Sequence, residues 1–357
     1  MAGRTLLRPT GFIDAPFGHE GKVARLAGGL IWFSQVELIG TGGGDRKLVP
    51  VAEIESRLDE DIGEQWHRLT SARTNLKLGP RTVRFDQPHV MGIVNATPDS
   101  FSDGGQFADA QAASDAGAAM TADGASIIDV GGESTRPGAK PVWEGDEVER
   151  VVPVVRPLVS SGGAVSIDTR KAVVMEAALA AGATMINDVS ALTWDHQAAE
   201  LVARAGVPVV LMHHQGRPET MQDAPSYPRG VLVEVYEWLE ERIEACVATG
   251  ISRDRILIDP GFGFGKSLKH NLELMNGLAL LHGLGCAMVI GASRKRTIGA
   301  LHNEAPTERR LAGSLAFALK AVEQGAQIVR VHDVYETMQA LKVWRGLRDQ
   351  ALTPRLT

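Results

Sequence analysis

The feature that most constrains this chain is an alternation that begins near His89. Short runs rich in β-branched residues alternate with Ala-rich segments of helical periodicity, which is typical of βαβ units around a parallel sheet. The predicted strands are 90–95, 126–130, 164–168, 184–187, 208–212, 255–259, 287–291 and 327–332, and helices are predicted at 111–122, 146–158, 230–248 and 309–324. Eight units match the roughly 250-residue scale of a (β/α)8 barrel. We predict an α/β fold of this type, with a doubly wound open sheet as the alternative.

Polar residues close nearly every predicted strand. They are Asn95, Asp129, Asp168, Asn187, His213, Asp259, the run from Ser293 to Lys295, Arg330 and His332. In a barrel the carboxyl ends of all strands meet at one mouth, where such folds place their active sites. An unpaired buried polar group costs about 1–3 kcal/mol, so these residues must bind one another or a ligand. The pattern therefore predicts one shared pocket.

The first 87 residues follow a different pattern. Residues 76–85, with Gly79-Pro80 as a turn, predict a β-hairpin that caps the bottom of the barrel. A strand is predicted at 29–39, a glycine-rich turn at 41–45, and a helix from Pro50 to Leu69. We therefore expect an α+β extension over residues 1–71, for which the sequence defines no function, and a barrel over residues 72–357.

Composition narrows the classes of function. The net charge of −6 argues against a nucleic-acid surface, because such proteins concentrate positive charge against phosphate. No apolar run approaches membrane-spanning length, and the amino terminus lacks the apolar core of a secretory signal. Cys246 and Cys286 have no metal-ligand or disulfide spacing and are expected to be buried thiols. We expect a cytoplasmic protein with small-molecule partners.

Two short patterns invite other interpretations. Residues 261–267 end in Gly-Lys-Ser like a phosphate-binding P-loop, but Pro260 occupies the position where that loop needs a glycine. Lys266 is therefore expected at the surface of a loop or helix start. His213 and His214 are adjacent and point to opposite faces of a strand, so structural roles are expected rather than a metal site.

The strand-end segments together resemble the dihydropteroate synthases, folate-pathway enzymes with a pterin-binding TIM barrel. The motifs that carry the resemblance are MGIVNATPDSFSDGG at 91–105, IDVGGESTRPG at 128–138, SIDTR at 166–170, INDVS at 186–190, LMH at 211–213, QGRPETMQ at 215–222, DPGFGFGK at 259–266, SRK at 293–295 and VRVH at 329–332. They follow one another in the family's order, and the resemblance covers residues 76–347.

The resemblance implies that (7,8-dihydropterin-6-yl)methyl diphosphate and 4-aminobenzoate are condensed to 7,8-dihydropteroate and diphosphate. The implied pterin site contains Asp168, Asn187, Met212, Asp259 and Lys295. Its chemistry is suitable, because a carboxylate such as that of Asp259 can accept two hydrogen bonds from the donor-rich pterin edge. Met212 offers a polarizable surface to the ring.

The expected diphosphate site contains Asn95, Arg330 and His332. Arg330 and His332 are two residues apart on the last strand and should share one face, while the first strand, which carries Asn95, lies next to the last strand in a closed barrel. Mg²⁺ is the expected cofactor, held by Asn95 and the diphosphate, because magnesium binds through few protein oxygens together with substrate phosphates.

Cleavage at the electron-rich pterin methylene should be largely dissociative and leave a cationic pterin. We assign catalytic roles to Asp103, Asp168 and Lys295, with the two aspartates stabilising the cation. The nucleophile is a neutral arylamine, so no strong general base is required. The implied 4-aminobenzoate site consists of Phe101, Thr135, Arg136, Pro137, Phe264 and Arg296. Sulfonamides, which mimic 4-aminobenzoate, are expected inhibitors.

One position departs from the family pattern. Where the family often has a serine after the lysine of the Ser-Arg-Lys motif, this chain has Arg296 followed by Thr297. Arg296 can reach the 4-aminobenzoate carboxylate by charge or through its backbone amide, and the sequence leaves both open. Arg294 is expected to form a salt bridge or to orient the loop.

Two alternatives to synthase activity are a pterin-binding methyltransferase that acts between methyltetrahydrofolate and a corrinoid protein, and an inactive pterin-binding scaffold. The Ser-Thr-Arg-Pro segment and the Arg330/His332 pair argue against the methyltransferase, which needs no diphosphate site. The complete set of charged strand ends argues against the scaffold. The resemblance also implies a homodimer that associates through barrel helices.

Overall fold

An antiparallel sheet forms the amino-terminal part of the protein. The structure is a computed structural model that describes residues 3–42, 46–97, 105–134, 141–216 and 220–353. The sheet consists of β1 (Thr5–Ile13), β2 (Ala24–Arg25), β3 (Trp32–Gly40) and β4 (Lys47–Pro50). β1 pairs with β3 from Thr5 opposite Gly40 to Ile13 opposite Trp32. The predicted strand at 29–39 is confirmed as β3, whereas β1 was not predicted.

The predicted single helix from Pro50 to Leu69 is wrong. The structure has a short helix α1 (Val51–Ile54), a 3-10 turn, and a second helix α2 (Glu60–Thr70). The backbone of Leu58 is extended, and the Asp59 side chain accepts a hydrogen bond from the Ile62 amide at 2.9 Å. An aspartate in this position satisfies an otherwise unpaired amide and starts a new helix, so the local cap overrides the apolar periodicity.

The predicted hairpin is confirmed. It consists of β5 (Leu76–Leu78) and β6 (Arg81–Val83). Its apolar side chains form one cluster with residues near the starts of the barrel strands: Leu76, Leu78, Val83, Phe85, Met91, Ile127, Ala164, Met185, Val210, Leu257, Ala287, Val289 and Ile328. The hairpin therefore closes the bottom of the barrel with apolar side chains.

The remainder of the chain contains a closed barrel of eight parallel strands. They are β7 (His89–Asn95), β8 (Ile127–Gly131), β9 (Val165–Asp168), β10 (Met185–Asp188), β11 (Val209–Met212), β12 (Ile256–Asp259), β13 (Ala287–Ile290) and β14 (Ile328–Val331). β14 pairs with β7 and closes the barrel. The eight predicted strands are confirmed to within one or two residues, and the doubly wound alternative is wrong.

Helices surround the barrel. They are α3 (Gly105–Ala122), α4 (Glu144–Ser160), α5 (Ala172–Ala180), α6 (Ala198–Ala205), α7 (Val231–Ala248), α8 (Leu268–Asn276), α9 (Arg296–Leu301), α10 (Leu311–Glu323) and α11 (Val334–Ala351). Over the described residues, none of the helices combines the length and apolar character needed to cross a bilayer. Cys246 and Cys286 are free and buried, as expected.

Three arginines attach the amino-terminal sheet to the barrel. Arg4 forms an ion pair with Glu240 of α7 at 2.5 Å. Arg73 donates to the carbonyls of His282 and Cys286 at 2.9 and 3.1 Å. Arg348 of α11 donates to the Leu30 carbonyl at 2.7 Å. Because these contacts reach from α7 to α11, the amino-terminal region packs against that side of the barrel.

Candidate active site

Strand register brings the predicted pterin residues together in two pairs at the carboxyl ends of neighbouring strands. Asp168 of β9 lies opposite Asn187 of β10, and Met212 of β11 lies opposite Asp259 of β12. All four side chains are buried. Asn95, at the end of β7, is half-buried and lies opposite Gly131, which in turn lies opposite Asp168. Residues far apart in sequence therefore line one pocket.

Arg330 of β14 joins this group through two carboxylates. Its Nε lies 2.6 Å from Asp129 Oδ2, and its second guanidinium nitrogen lies 2.7 Å from Asp168 Oδ2. Asn187 Nδ2 also donates to Asp129 Oδ2, at 2.9 Å. Asp129 thus connects β8, β10 and β14, although the sequence analysis assigned it no substrate role. The only signal in the sequence was its position at the end of a buried strand.

The carboxylates of this network have unusual electrostatics. Burial raises the pKa of Asp168 to about 7; the Arg330 cation opposes the rise and the Asp129 carboxylate adds to it. Burial would lower the pKa of Arg330, but the two carboxylates outweigh it, and the pKa rises above its usual value. Asp129 Oδ1 and Asp168 Oδ1 are buried and have no hydrogen-bond partner among the described residues. Two acceptors at the mouth are therefore available to a donor-bearing ligand.

Asp259 and Lys295 form a second charged group. Asp259 Oδ1 accepts a hydrogen bond from the Gly261 amide at 2.7 Å. Burial raises the pKa of Asp259, and the Lys295 charge opposes that rise. Burial also lowers the pKa of Lys295 to about 8, against the effect of Asp259. Lys295 donates to the Phe262 carbonyl, and its Nζ lies 4.6 Å from the centroid of the Phe264 ring. The structure therefore brings Asp259, Lys295 and Phe264 together.

The loop after β12 follows a path that only glycine permits. Gly261 has a φ of +68°, and a Cβ at this position would lie 1.9 Å from the His213 carbonyl oxygen. Lys266, at the end of this loop, is 3% exposed. The expectation that Lys266 lies at the surface is wrong, because its side chain turns inward and its amine contacts backbone carbonyls and His213.

The last strand carries the predicted diphosphate residues. Arg330 is partly buried, and His332 Nδ1 lies 3.1 Å from Ser293 Oγ. The Arg330 guanidinium contacts the carboxylates of the pterin end, so one residue adjoins both predicted subsites. Nearby, Arg294 forms an ion pair with Asp333, its Nε lying 2.9 Å from Oδ2, which confirms the predicted salt bridge. Arg296 is exposed at the first position of α9.

Five predicted site residues lie outside the part of the chain that the structure describes: Phe101, Asp103, Thr135, Arg136 and Pro137.

An ionic cluster that the sequence analysis missed lies immediately before residues 135–137. Glu133 contacts Arg170 at 2.6 Å and also Lys171, which lies 2.5 Å from the buried Glu147. Burial would raise the pKa of Glu133, but the two cations lower it. The cluster fixes Glu133 immediately before the Ser-Thr-Arg-Pro segment.

The two adjacent histidines occupy different environments. His213 is buried, and its ring packs against Trp238 with centroids 4.9 Å apart. Burial, together with the nearby Lys266, lowers the pKa of His213 well below its usual value. His214 Nδ1 donates to the Gly216 carbonyl oxygen at 3.2 Å, and burial lowers the pKa of His214 as well. These contacts account for both rings structurally.

The chain is similar to known proteins over most of its barrel. A family model described as pterin binding enzyme matches residues 91–332. The dihydropteroate synthase of Neisseria meningitidis serogroup B is 49% identical over 282 residues, which cover 77% of this chain and 98% of that protein. The Escherichia coli K12 dihydropteroate synthase is 48% identical over 263 residues, covering 73% and 92%.

Solved structures of dihydropteroate synthases are also similar to this chain. The Yersinia pestis dihydropteroate synthase in a sulfonamide drug complex has a TM-score of 0.73 and 44% identity, covering 77% of this chain and 100% of that one. The Xanthomonas albilineans dihydropteroate synthase with 4-aminobenzoic acid has a TM-score of 0.73 and 47% identity, covering 79% and 100%. The chain therefore belongs to the pterin-binding enzyme family and, within it, to the dihydropteroate synthases.

Proposed function

We propose that this enzyme condenses (7,8-dihydropterin-6-yl)methyl diphosphate with 4-aminobenzoate to give 7,8-dihydropteroate and diphosphate. The observation that carries the proposal is the buried set of acceptors at the barrel mouth, in which two carboxylate oxygens have no partner among the described residues. A buried acceptor without a donor is costly unless a ligand supplies one. A pterin ring, with its amino group and ring N–H groups, supplies several donors on one edge.

In this proposal the pterin lies between two charged groups. Asp259 Oδ2 accepts from the pterin edge while Oδ1 remains bonded to the Gly261 amide. Asp168 Oδ1 accepts from the opposite side, and Asn187 contributes its amide oxygen while Nδ2 stays on Asp129. Met212 packs against the ring, and Lys295 donates to the pterin carbonyl and a ring nitrogen. These contacts fix the methylene carbon towards β14.

The diphosphate would then face Arg330, His332 and Asn95. Arg330 is held by two carboxylates, so its guanidinium is fixed in orientation before substrate arrives. The described residues contain no group of three or more His, Cys, Asp or Glu side chains suited to a metal. The Asn95 amide oxygen would hold a Mg²⁺ ion that arrives with the diphosphate, because magnesium binds through few protein oxygens together with substrate phosphates. When bound, the ion would neutralise charge on the leaving group.

The chemical step exchanges a carbon–oxygen bond for a carbon–nitrogen bond. The bond between the pterin methylene and the diphosphate oxygen breaks first, and the electron pair leaves with diphosphate. The carbon becomes cationic, and the ionised Asp168, with Asp103, stabilises it. The neutral amine of 4-aminobenzoate attacks this carbon and then loses a proton to solvent. Catalysis therefore consists mainly of positioning and charge stabilisation.

The 4-aminobenzoate ring is proposed to lie beside Phe264. The Lys295 ammonium, 4.6 Å from the Phe264 ring centroid, places a positive charge on the same side as the aromatic wall. Arg296 is exposed at the start of α9 and in this proposal meets the carboxylate from solvent. Phe101, Thr135, Arg136 and Pro137 complete this subsite in the proposal. Because sulfonamides mimic 4-aminobenzoate, we propose that they compete for this site.

We further propose that the enzyme is a cytoplasmic homodimer. Helix α11 exposes three large apolar side chains, Tyr335, Val343 and Leu347, which are 60%, 62% and 68% exposed. Apolar side chains grouped on one helix favour association with a second surface. The two free thiols, Cys246 and Cys286, suit a reducing compartment. Analytical ultracentrifugation at micromolar concentration tests this proposal. The mass of a dimer is expected, and the mass of a monomer would contradict it.

Product analysis tests the proposed reaction. The protein is incubated with the pterin diphosphate, 4-aminobenzoate and Mg²⁺, and equal amounts of 7,8-dihydropteroate and diphosphate are expected. Absence of both products from folded protein would contradict the synthase. Transfer of a methyl group from methyltetrahydrofolate to a corrinoid protein would favour the methyltransferase, and pterin binding without either reaction would favour the scaffold.

A further inference from the structure

Lys266 takes no part in the proposed chemistry, yet it lies beneath the loop that borders both substrate subsites. Its side chain is 3% exposed. Its Nζ lies 2.9 Å from His213 Nδ1, 3.0 Å from the Gly261 carbonyl oxygen and 3.1 Å from the Phe264 carbonyl oxygen. A buried cation is costly unless its donors are satisfied. The three contacts match the three N–H donors of an ammonium group.

The contacts do not depend on the charge of the amine. Burial lowers the pKa of Lys266 well below its usual value, opposed by Asp259 and reinforced by Lys295. A neutral amine would donate to the two carbonyls and accept from His213 through its lone pair, with the histidine proton on Nδ1. Either protonation state therefore satisfies all three partners and keeps the two carbonyls together.

The loop that Lys266 holds, residues 261–265, carries groups of both subsites. At one end, the Gly261 amide donates to Asp259, the residue assigned to the pterin edge. In the middle, the Phe262 carbonyl accepts from Lys295. At the other end, Phe264 presents its ring to Lys295. A shift of this loop would therefore displace an acceptor for the pterin and a wall of the 4-aminobenzoate subsite at the same time.

The backbone of this loop contributes little rigidity of its own, because its internal hydrogen bond runs only from the Phe264 amide to the Gly261 carbonyl oxygen, at 3.2 Å. Gly261, Gly263 and Gly265 all have φ values in the left-handed region, at +68°, +79° and +65°. Glycine reaches this region freely but imposes no conformation. Tethers from outside must therefore define the shape. Asn271 and Gln222 hold the middle of the loop at Gly263, and Tyr227 holds its end at the Gly265 carbonyl. Among the described side chains, Lys266 is the one that bonds the carbonyls of both Gly261 and Phe264.

We propose that Lys266, backed by His213, is a positioning residue that fixes loop 261–265 and so links the pterin and 4-aminobenzoate subsites. The inference rests on the proposed function, because it assigns the loop to those two substrates. Lys266 touches neither substrate and acts through Asp259, Lys295 and Phe264. Its loss should therefore weaken the binding of both substrates rather than abolish one contact.

The test compares Lys266→Met with Lys269→Met. Methionine keeps much of the side-chain volume and removes all three hydrogen bonds, whereas Lys269 is exposed on α8 and serves as the matched control. Lys266→Met is expected to raise KM for both substrates and to lower kcat/KM for the pterin diphosphate about 10- to 100-fold, the range expected for misplacement of binding groups. Lys269→Met is expected to match the wild type.

KM separates positioning from a merely structural role, because a smaller folded fraction lowers kcat but leaves KM unchanged. Unchanged KM values for both substrates in Lys266→Met would overturn the proposal. If that variant does not fold, His213→Asn and His213→Leu replace it: asparagine keeps an acceptor near Nδ1, and leucine removes it. A higher KM for both substrates in His213→Leu than in His213→Asn supports the proposal, and equal values overturn it. An inactive wild type would instead contradict the proposed function.

Discussion

The two ends of the barrel are built from the same strands but have opposite chemistry. In β8, Ile127 belongs to the apolar cluster that the hairpin forms at the bottom of the barrel, which we call the plug layer. Asp129, two residues later, belongs to the charged network at the barrel mouth, which we call the mouth layer. Leu257 and Asp259 of β12 are related in the same way. Residues two apart on a strand point to the same side, so both layers face the barrel interior. In these two strands a step of two residues separates a layer that stabilises the barrel from a layer assigned to substrate.

The difference between the plug layer and the mouth layer is energetic. The plug layer is apolar on both the strand and the hairpin side, so its burial requires no further partner. The mouth layer buries Asp129 and Asp168 with one oxygen of each unpaired in the described residues. Buried carboxylates without donors are unfavourable in the free protein. We therefore expect substitutions in the plug to affect stability and substitutions in the mouth to affect substrate binding.

The largest expected effect is on the mouth side. Asp259→Ala removes the Oδ2 acceptor assigned to the pterin edge and also the charge that opposes the buried Lys295, and hydrogen bonds to charged groups are worth about 1.5–3 kcal/mol each. We expect kcat/KM for the pterin diphosphate to fall at least about 100-fold, with a melting temperature close to that of the wild type. Steady-state kinetics and thermal melting test this; a stable variant with wild-type kcat/KM would remove Asp259 from the site.

The matching change on the plug side is Leu78→Ala. Leu78 is fully buried in the hairpin, and a substitution of this kind costs about 2–5 kcal/mol in unfolding free energy. KM for both substrates should stay within about twofold of the wild type, because the hairpin lies at the opposite end of the barrel. Urea unfolding and steady-state kinetics measure the two quantities. If Leu78→Ala changed KM but not the unfolding free energy, the plug layer would affect substrate binding, contrary to this account.

A smaller effect is expected for Asp129→Asn, which changes the charge that holds Arg330 and Asn187. We expect kcat/KM to fall about tenfold, equal to about 1.4 kcal/mol. The Asp129 carboxylate contributes to the raised pKa of Asp168, which is about 7, so its removal should move the acidic limb of the kcat/KM profile to lower pH. The profile from pH 5 to 9 measures this shift, and an unmoved limb would argue against Asp168 as the ionised group.

The smallest expected effect is on the pH dependence of stability. Burial raises the pKa of Asp188 to about 6, so the folded protein binds a proton more tightly than the unfolded chain does. This contribution is present at pH 4 and is lost as the pH rises to about 6 and above, on the order of 1 kcal/mol. Unfolding free energies from pH 4 to 7 should show a stronger fall for the wild type than for Asp188→Asn, and parallel curves would be the contrary result.

The sequence predicts the barrel well because its strands are short, buried on both sides and therefore apolar without alternation. The hairpin was equally clear, since Gly79-Pro80 separates two short apolar segments. The amino-terminal helix was not, because the Asp59 cap divides a segment whose apolar periodicity continues across the break. Local capping chemistry can therefore outweigh periodicity where a helix is not fully buried.

The polar interior was predicted only in part. Asp168, Asn187, Met212 and Asp259 follow from the strand ends, and the register pairs Asp168 with Asn187 and Met212 with Asp259. The role of Asp129 depends on Arg330, 201 residues away along the chain. The inward path of Lys266 depends on carbonyls of a glycine loop and on His213. Such partners are fixed by tertiary structure, and no spacing in the sequence specifies them.

Titration calorimetry with the pterin diphosphate measures substrate affinity independently of turnover and therefore distinguishes the two layers of the barrel interior. The wild type and Leu78→Ala are predicted to bind with the same Kd, whereas Asp259→Ala is predicted to bind at least about 100-fold more weakly. Equal affinity of all three proteins, or the same loss in both variants, would contradict the division of the barrel interior into a stabilising layer and a binding layer.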